Sequence, residues 1–229
     1  MMTAMRYLFL SVLALAACAC SRSRESAEEP RPAPVETAPA PQAADPRPII
    51  AVFGDSISAG YGLQAGQSFP DDMQRHLDGW HVVNLGISGD TTEQGAARID
   101  TATSLHPKIV IVELGGNDGL RGMPLASTRA NLDQIIAAFQ GAGAKVVLAG
   151  MTLPPNYGPD YIGDFQKIYT DLAAKYHVTL IPFLMADIIT KDLRYIQPDG
   201  IHPTAQGSEI IAGTVLKAIK PLLAANERK

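Results

Sequence analysis

The chain has 229 residues, 46% hydrophobic and 18% charged, which suits one globular domain with some extra chain and excludes a large multidomain assembly. With 19 Lys+Arg against 23 Asp+Glu the net charge is -4, so no basic field exists to draw in a nucleic acid. Both cysteines, Cys18 and Cys20, fall within the first twenty residues, which leaves the remainder without a disulfide, a thiol nucleophile or a cysteine-bound zinc.

Arg6 precedes an apolar run from Tyr7 to Ala17, about half the roughly 20 residues that span a bilayer, and small residues end it. Residues 1–20 therefore read as an export signal. Leu15-Ala16-Ala17-Cys18 resembles the lipobox of bacterial lipoproteins, which implies cleavage before Cys18 and acylation of that cysteine; cleavage at a small-x-small site such as Ala14-Leu15-Ala16 is the alternative. The expected location is the periplasm, either free or membrane-anchored through Cys18. Residues 21–48 hold seven prolines and six alanines with almost no aliphatic side chain, a composition that cannot build a core and reads as a disordered linker or tether.

From residue 49 to 229 the pattern changes to alternating strand and helix. Apolar, β-branched runs at Ile49–Phe53, His81–Leu85, Lys108–Leu114, Lys145–Ala149 and Val178–Pro182 read as strands buried on both faces. Ser68 and Asp71 form a capping-box pattern opening a helix toward Leu77. Leu132, Ile135, Ile136 and Phe139 fall on one helical stripe, as do Phe165, Ile168, Tyr169, Leu172 and Tyr176, and again Ile211, Val215, Ala218, Ile219 and Leu222. Short connections between such elements favour right-handed crossovers, hence the α/β class: a parallel sheet of about five strands with helices on both faces.

In that architecture ligands bind beyond the carboxyl ends of the strands. Four glycine-bearing corners lie there: Gly54-Asp55-Ser56-Ile57, Gly86-Ile87-Ser88-Gly89-Asp90, Gly115-Gly116-Asn117-Asp118 and, before the last helix, Asp199-Gly200-Ile201-His202-Pro203. A serine hydroxyl needs a neutral imidazole to accept its proton and a carboxylate to orient that imidazole. Ser56, His202 and Asp199 supply the three groups, with Gly54 permitting a sharp turn and Gly200 a tight bend. Negative charge on a tetrahedral intermediate needs donors, and the amides of Ser56 and Gly89 with the side-chain NH₂ of Asn117 are candidates. Asp90 and Asp118 read as helix caps or loop braces, and Ser58 and Ser88 as loop hydrogen-bonders. His76, His81, His106 and His177 stand apart from any acidic cluster, so no metal site is expected. Trp80 is expected to pack at a helix-to-strand turn.

These four blocks, in this order and spacing, resemble those of SGNH (GDSL-type) hydrolases. Gly54 to Tyr61, Ile87 to Thr91, Val112 to Gly122 and Leu153 to Gly158 are similar to the branch of the family that contains thioesterase I, arylesterases and lysophospholipases. The one departure is Ile57 where the family name has Leu, an aliphatic exchange. The resemblance implies a flavodoxin-like three-layer α/β/α sandwich, Ser56 as nucleophile with Asp199 and His202, and Ser56, Gly89 and Asn117 as oxyanion donors. It also implies that the loops around Gly119, Leu120 and Met123 and around Leu153, Pro154 and Tyr157 flank an acyl chain. The expected activity is cofactor-free hydrolysis of a small-molecule or lipid acyl ester or thioester by a monomer. An O-acetyl esterase acting on polysaccharide, and an exported anion-binding protein using the glycine corners as a nest, are the alternatives. The Gly-x-Ser-x-Gly elbow of α/β-hydrolases is absent from the sequence.

Overall fold

The computed structural model describes residues 45–189 and 192–226. The export signal, Cys18 and residues 21–44 of the linker lie outside the described residues. Strand β1 (Ile49–Gly54) leads into α1 (Ser56–Ala59) and α2 (Phe69–Gln74), and β2 (His81–Asn84) into α3 (Thr92–Ala97) and α4 (Ile99–Thr103). Strand β3 (Ile109–Glu113) is followed by α5 (Gly116–Leu120) and α6 (Leu125–Gly141). Strand β4 (Lys145–Ala149) leads through a 3₁₀ turn (Pro155–Tyr157) to α7 (Pro159–Tyr176). Strand β5 (Thr179–Ile181) is followed by α8 (Ala186–Ile189), a second 3₁₀ turn (Leu193–Tyr195) and α9 (Ala205–Asn226).

The five strands form one parallel sheet in the order β2-β1-β3-β4-β5. Strands β1 and β3 are buried along almost their whole length, which is why their sequences are continuously apolar rather than alternating. Helices α2 and α9 pack together, while α3, α6 and α7 pack as a second group. Phe53 of β1 meets Phe139 of α6 edge-to-face at 5.2 Å, so the stripe read from α6 is the face laid on the sheet. All four residues of that stripe are fully buried.

Helix α2 begins at the capping box, Ser68 accepting from the Asp71 amide and Asp71 from the Ser68 amide. It ends at Gln74, short of Leu77, because the Gln74 side chain takes over the turn. Its amide donates to the Leu77 and Trp80 carbonyls, and its oxygen accepts from Val82 N at 2.9 Å. Trp80 packs there, buried. Strand β5 is shorter than its apolar run, since Pro182 has no N–H with which to extend a ladder. The short helices α1, α3, α4, α5 and α8 were not expected; four to six residues are too few to carry an apolar stripe.

The chain leaves β1 toward β2 on one side and returns through β3 on the other, so the strand order reverses between β1 and β3. A crevice opens at such a switch point, beyond the carboxyl ends of the strands. Removing the Phe139 ring would leave a cavity in the face that supports this crevice. Phe139→Ala is expected to lower unfolding free energy by about 3–5 kcal/mol in a urea titration, with the far-ultraviolet spectrum retained.

Candidate active site

Strand β1 delivers Gly54 to the sheet edge, and the chain turns at once into α1. Asp55 caps that helix, its Oδ1 accepting from Ile57 N at 3.1 Å, so Ser56 stands at the first helical position with its hydroxyl at the crevice. Gly54 is required for space rather than for an unusual dihedral: a Cβ there would overlap Ser58 Oγ and the Glu113 carboxylate. That corrects the reason expected from sequence, since Gly54 is not among the glycines with positive φ. Gly60, at φ 78°, ends the helix in a left-handed cap.

The opposite wall comes from the far end of the chain. Gly200 at φ 75° makes the tight bend that folds Asp199 back on its own loop. Asp199 Oδ1 accepts from the amides of Ile201 and His202 at 2.9 and 3.0 Å, and Oδ2 lies 2.6 Å from His202 Nδ1. A carboxylate on Nδ1 makes that nitrogen the protonated one, which leaves Nε2 as an acceptor. Nε2 lies 2.8 Å from Ser56 Oγ. Partial burial opposes ionisation of Asp199, but the His202 and Ile201 amides and the imidazole outweigh it and hold the carboxyl down at about 2.

Gly89 and Asn117 face the same crevice from the ends of β2 and β3. The backbone amides of Ser56 and Gly89 donate no hydrogen bond among the described residues. Asn117 Nδ2 donates to Asp55 Oδ2 at 3.1 Å and to the Asp90 carbonyl at 3.0 Å, and its Oδ1 faces Arg121 at 3.4 Å, which sets the orientation of the amide. Asp90 and Asp118 brace the loops. Asp90 pairs with Arg98 at 2.7 Å, and Asp118 accepts from the Thr92 amide and hydroxyl at 2.9 and 2.5 Å, anchoring the start of α3 beside α5. Arg98 also reaches the Gly54 carbonyl at 3.0 Å across the face of Phe53, tying the β2 corner to the β1 corner.

Beneath the serine lies a pair of carboxyl groups that sequence reasoning missed. The β1–β3 register sets Gly54 beside Glu113, and Glu113 Oε2 accepts from the amides of Asp55 and Ser58 and from Ser58 Oγ at 2.6 Å. Ser58 is therefore a buried structural hydroxyl on α1. Glu113 is fully buried, and its Oε1 has no hydrogen-bond partner among the described residues. Burial, together with the charge of Asp55, drives the Glu113 carboxyl well above the usual range. Burial also raises Asp55 to about 6, against the opposing bonds from the Ile57 amide, Glu113 and Asn117. A charge closing an otherwise apolar buried strand was the available signal.

The crevice encloses about 350 Å³, and Ile57, Tyr61, Leu120 and Ile201 are its apolar lining. Of the six residues expected along an acyl chain, Leu120 is in that lining. Gly119 and Leu153 are not: both are buried, and a Cβ on Gly119 would lie 2.6 Å from Leu153 Cδ2, so the pair is core packing between α5 and the β4 loop. Tyr157 donates to the Leu120 carbonyl at 2.6 Å, and Tyr161 to the Met123 carbonyl at 3.3 Å, so these tyrosines hold the α5 loop in position. Pro154 is exposed and opens the 3₁₀ turn. A second hollow of about 280 Å³, lined by Gln140, Lys145 and His177 among others, contains no serine or carboxylate.

A parallel sheet whose switch-point crevice brings together serine, imidazole, carboxylate and free amides has the architecture of a hydrolytic enzyme. A profile of the GDSL-like Lipase/Acylhydrolase family matches residues 52–210. Over 179 residues the chain is 40% identical to thioesterase 1/protease 1/lysophospholipase L1 of Escherichia coli K12, covering 76% of this chain and 84% of that one. It is 41% identical over 179 residues to esterase TesA of Pseudomonas aeruginosa, covering 76% and 89%. The solved structure of the psychrotrophic esterase EstA from Pseudoalteromonas sp., inhibited by monoethylphosphonate, superposes with a TM-score of 0.72 at 32% identity, covering 77% and 98%. The chain belongs to the GDSL-like lipase/acylhydrolase family, the SGNH hydrolases, and is a carboxylic ester hydrolase.

The carboxyl pair has a consequence for stability. In the unfolded chain both groups ionise near pH 4, whereas in the fold Asp55 keeps its proton to about pH 6 and burial holds the Glu113 carboxyl well above its ordinary range. The native state binds more protons in that window, so their contribution to stability falls as pH rises through it. Glu113→Gln removes one of the two groups, and its stability relative to the parent chain should improve from pH 5 to pH 8. Urea unfolding at the two pH values checks this; an unchanged difference would contradict it.

Proposed function

We propose that the protein is a serine esterase acting on acyl esters and thioesters, with Ser56 as nucleophile, His202 as general base and acid, and Asp199 as the carboxylate that orients His202. The observation that carries this reading is the chain of short contacts from Asp199 Oδ2 through the imidazole to Ser56 Oγ, 2.6 and 2.8 Å in length. In the forward step Ser56 Oγ forms a bond to the acyl carbon while its proton passes to Nε2, and the carbonyl electron pair moves onto oxygen. Collapse of that intermediate breaks the bond to the leaving oxygen or sulfur, which takes the proton from Nε2. Water then repeats the sequence on the acyl-enzyme and releases the acid. Every step moves only protons and electron pairs of substrate, protein and water.

Charge on the intermediate would meet the free amides of Ser56 and Gly89. Asn117 Nδ2 adds a third donor, with the developing oxyanion competing against Asp55 Oδ2 for one of its hydrogens. The apolar lining of Ile57, Leu120, Tyr61 and Ile201 suits an acyl chain better than a sugar. Two relatives are named thioesterase/protease/lysophospholipase and esterase, and a third, from Vibrio mimicus, arylesterase. The inhibition of EstA by monoethylphosphonate fits a nucleophile of this type. The sequence of residues 1–48 favours work in the periplasm, with the enzyme either free or anchored through Cys18, and we read the enzyme as a monomer.

With p-nitrophenyl butyrate, Ser56→Ala and His202→Ala are each expected to lower kcat by about 10⁴- to 10⁶-fold, and Asp199→Ala by somewhat less. A fluorophosphonate should label the parent chain and leave Ser56→Ala unlabelled. Substantial turnover by Ser56→Ala would end this reading.

A further inference from the structure

The two walls of the crevice come from distant parts of the chain, and few hydrogen bonds join them directly. Among the described residues only two hydrogen bonds join residues 55–68 to residues 193–204. One is the contact of Ser56 with His202; the other is a 2.7 Å bond from Gln197 Nε2 to the Tyr61 carbonyl. Gln197 sits at the base of a small hairpin that carries Asp199 and His202 at its tip. Ile196 pairs with Pro203, the Gln197 amide donates to the His202 carbonyl at 2.7 Å, and the Gln197 carbonyl accepts from Gly200 N at 3.0 Å. The second hydrogen of Nε2 goes to the Pro203 carbonyl at 2.8 Å. One side-chain amide thus spends one hydrogen on bracing its own hairpin and the other on joining that hairpin to the opposite wall. Gly62 makes room for it, since a Cβ there would overlap Gln197 Oε1.

The same contact places an aromatic ring. Tyr61, held by its carbonyl, lays its ring over the His202 imidazole with centroids 4.5 Å apart and an interplanar angle of 37°. The imidazole is therefore confined by Asp199 at one nitrogen and by Tyr61 across its face.

We propose that Gln197 is a positioning residue for the ester hydrolysis. By clasping the Tyr61 turn to the Asp199–His202 hairpin it sets the separation of His202 Nε2 from Ser56 Oγ. Its own side chain is not part of the cleft lining and contacts none of the reacting atoms, so its effect is expected on the chemical step. This rests on the assignment of Ser56 and His202 as the reacting pair. Misplacement of reacting groups by about 1 Å costs on the order of 10²-fold in rate.

The test uses the full chain carrying Gln197→Met, which keeps bulk and removes both donors, and Gln197→Glu, which keeps shape and turns a carboxylate toward two carbonyls. With p-nitrophenyl butyrate each variant is expected to lose about 10- to 100-fold in kcat while KM stays within about twofold. Fluorophosphonate labelling should slow in proportion, with the thermal midpoint within a few degrees of the parent. A parental kcat in either variant overturns the proposal, as does a kcat loss that comes with a raised KM and a large drop in the thermal midpoint. Ser56→Ala run alongside separates the two layers. Activity surviving there removes the underlying reading, whereas an inactive Ser56→Ala with fully active Gln197 variants removes the clasp alone.

Discussion

A single 2.8 Å contact between Ser56 Oγ and His202 Nε2 spans 146 residues of chain, and the arrangement of the whole sheet bears on whether it can form. Closing a loop of that length costs conformational entropy that one hydrogen bond, worth about 1 kcal/mol net, does not recover. The cost is offset elsewhere. Burial of β1 and β3, with the packing of α2 against α9, brings the start and end of the domain to the same edge independently of the side-chain contacts at the site. The site is thus a product of the core, and its own hydrogen bonds only select geometry within a frame that apolar burial has assembled.

Underneath the serine the frame carries an electrostatic load. Glu113 and Asp55 are both out of water, and a pair of carboxyls so close in an apolar setting disfavours full ionisation. Replacing such a group by a hydrocarbon would relieve desolvation, yet Glu113 is the acceptor for three donors at the turn into α1: two amides and the Ser58 hydroxyl. Without it those donors would be buried unpaired, at a cost of about 1–3 kcal/mol each. The carboxyl is therefore the means by which a strand can end in a helix with no intervening loop, and that abrupt turn is what brings the Ser56 hydroxyl to the crevice.

Much of this was legible in the sequence because it is local. Five apolar runs gave five strands, and the glycine-bearing corners of residues 54–57, 86–90, 115–118 and 199–203 fall at one edge of the sheet. What could not be read depends on register between distant segments. Glu113 looks like a charge at a strand end until β1–β3 pairing sets it beside Gly54. Arg98 reaches a carbonyl 44 residues away, and Gln197 one 136 residues away, with no periodicity to announce either. Leu153 failed as a cleft residue for a related reason. An apolar side chain four residues past a strand can point outward to a ligand or inward to the core, and only the neighbouring bare Gly119 decides that it turns in.

The cleft wall carries a limit on selectivity. Ile57, Leu120, Tyr61 and Ile201 are the apolar part of the lining, and apolar walls discriminate weakly. One methylene more or less in an apolar pocket changes the transition-state free energy by about 1–3 kcal/mol, whereas a pocket that hydrogen-bonds its substrate can reject a mismatched analogue by about 10⁴-fold or more. Tyr61 and Ile201 are also about half exposed, so part of any chain lying on them stays in water and contributes less still. The polar groups of the crevice are concentrated around Ser56, so under the proposed mechanism the site fixes the acyl carbonyl at one point and asks little of what is attached to it.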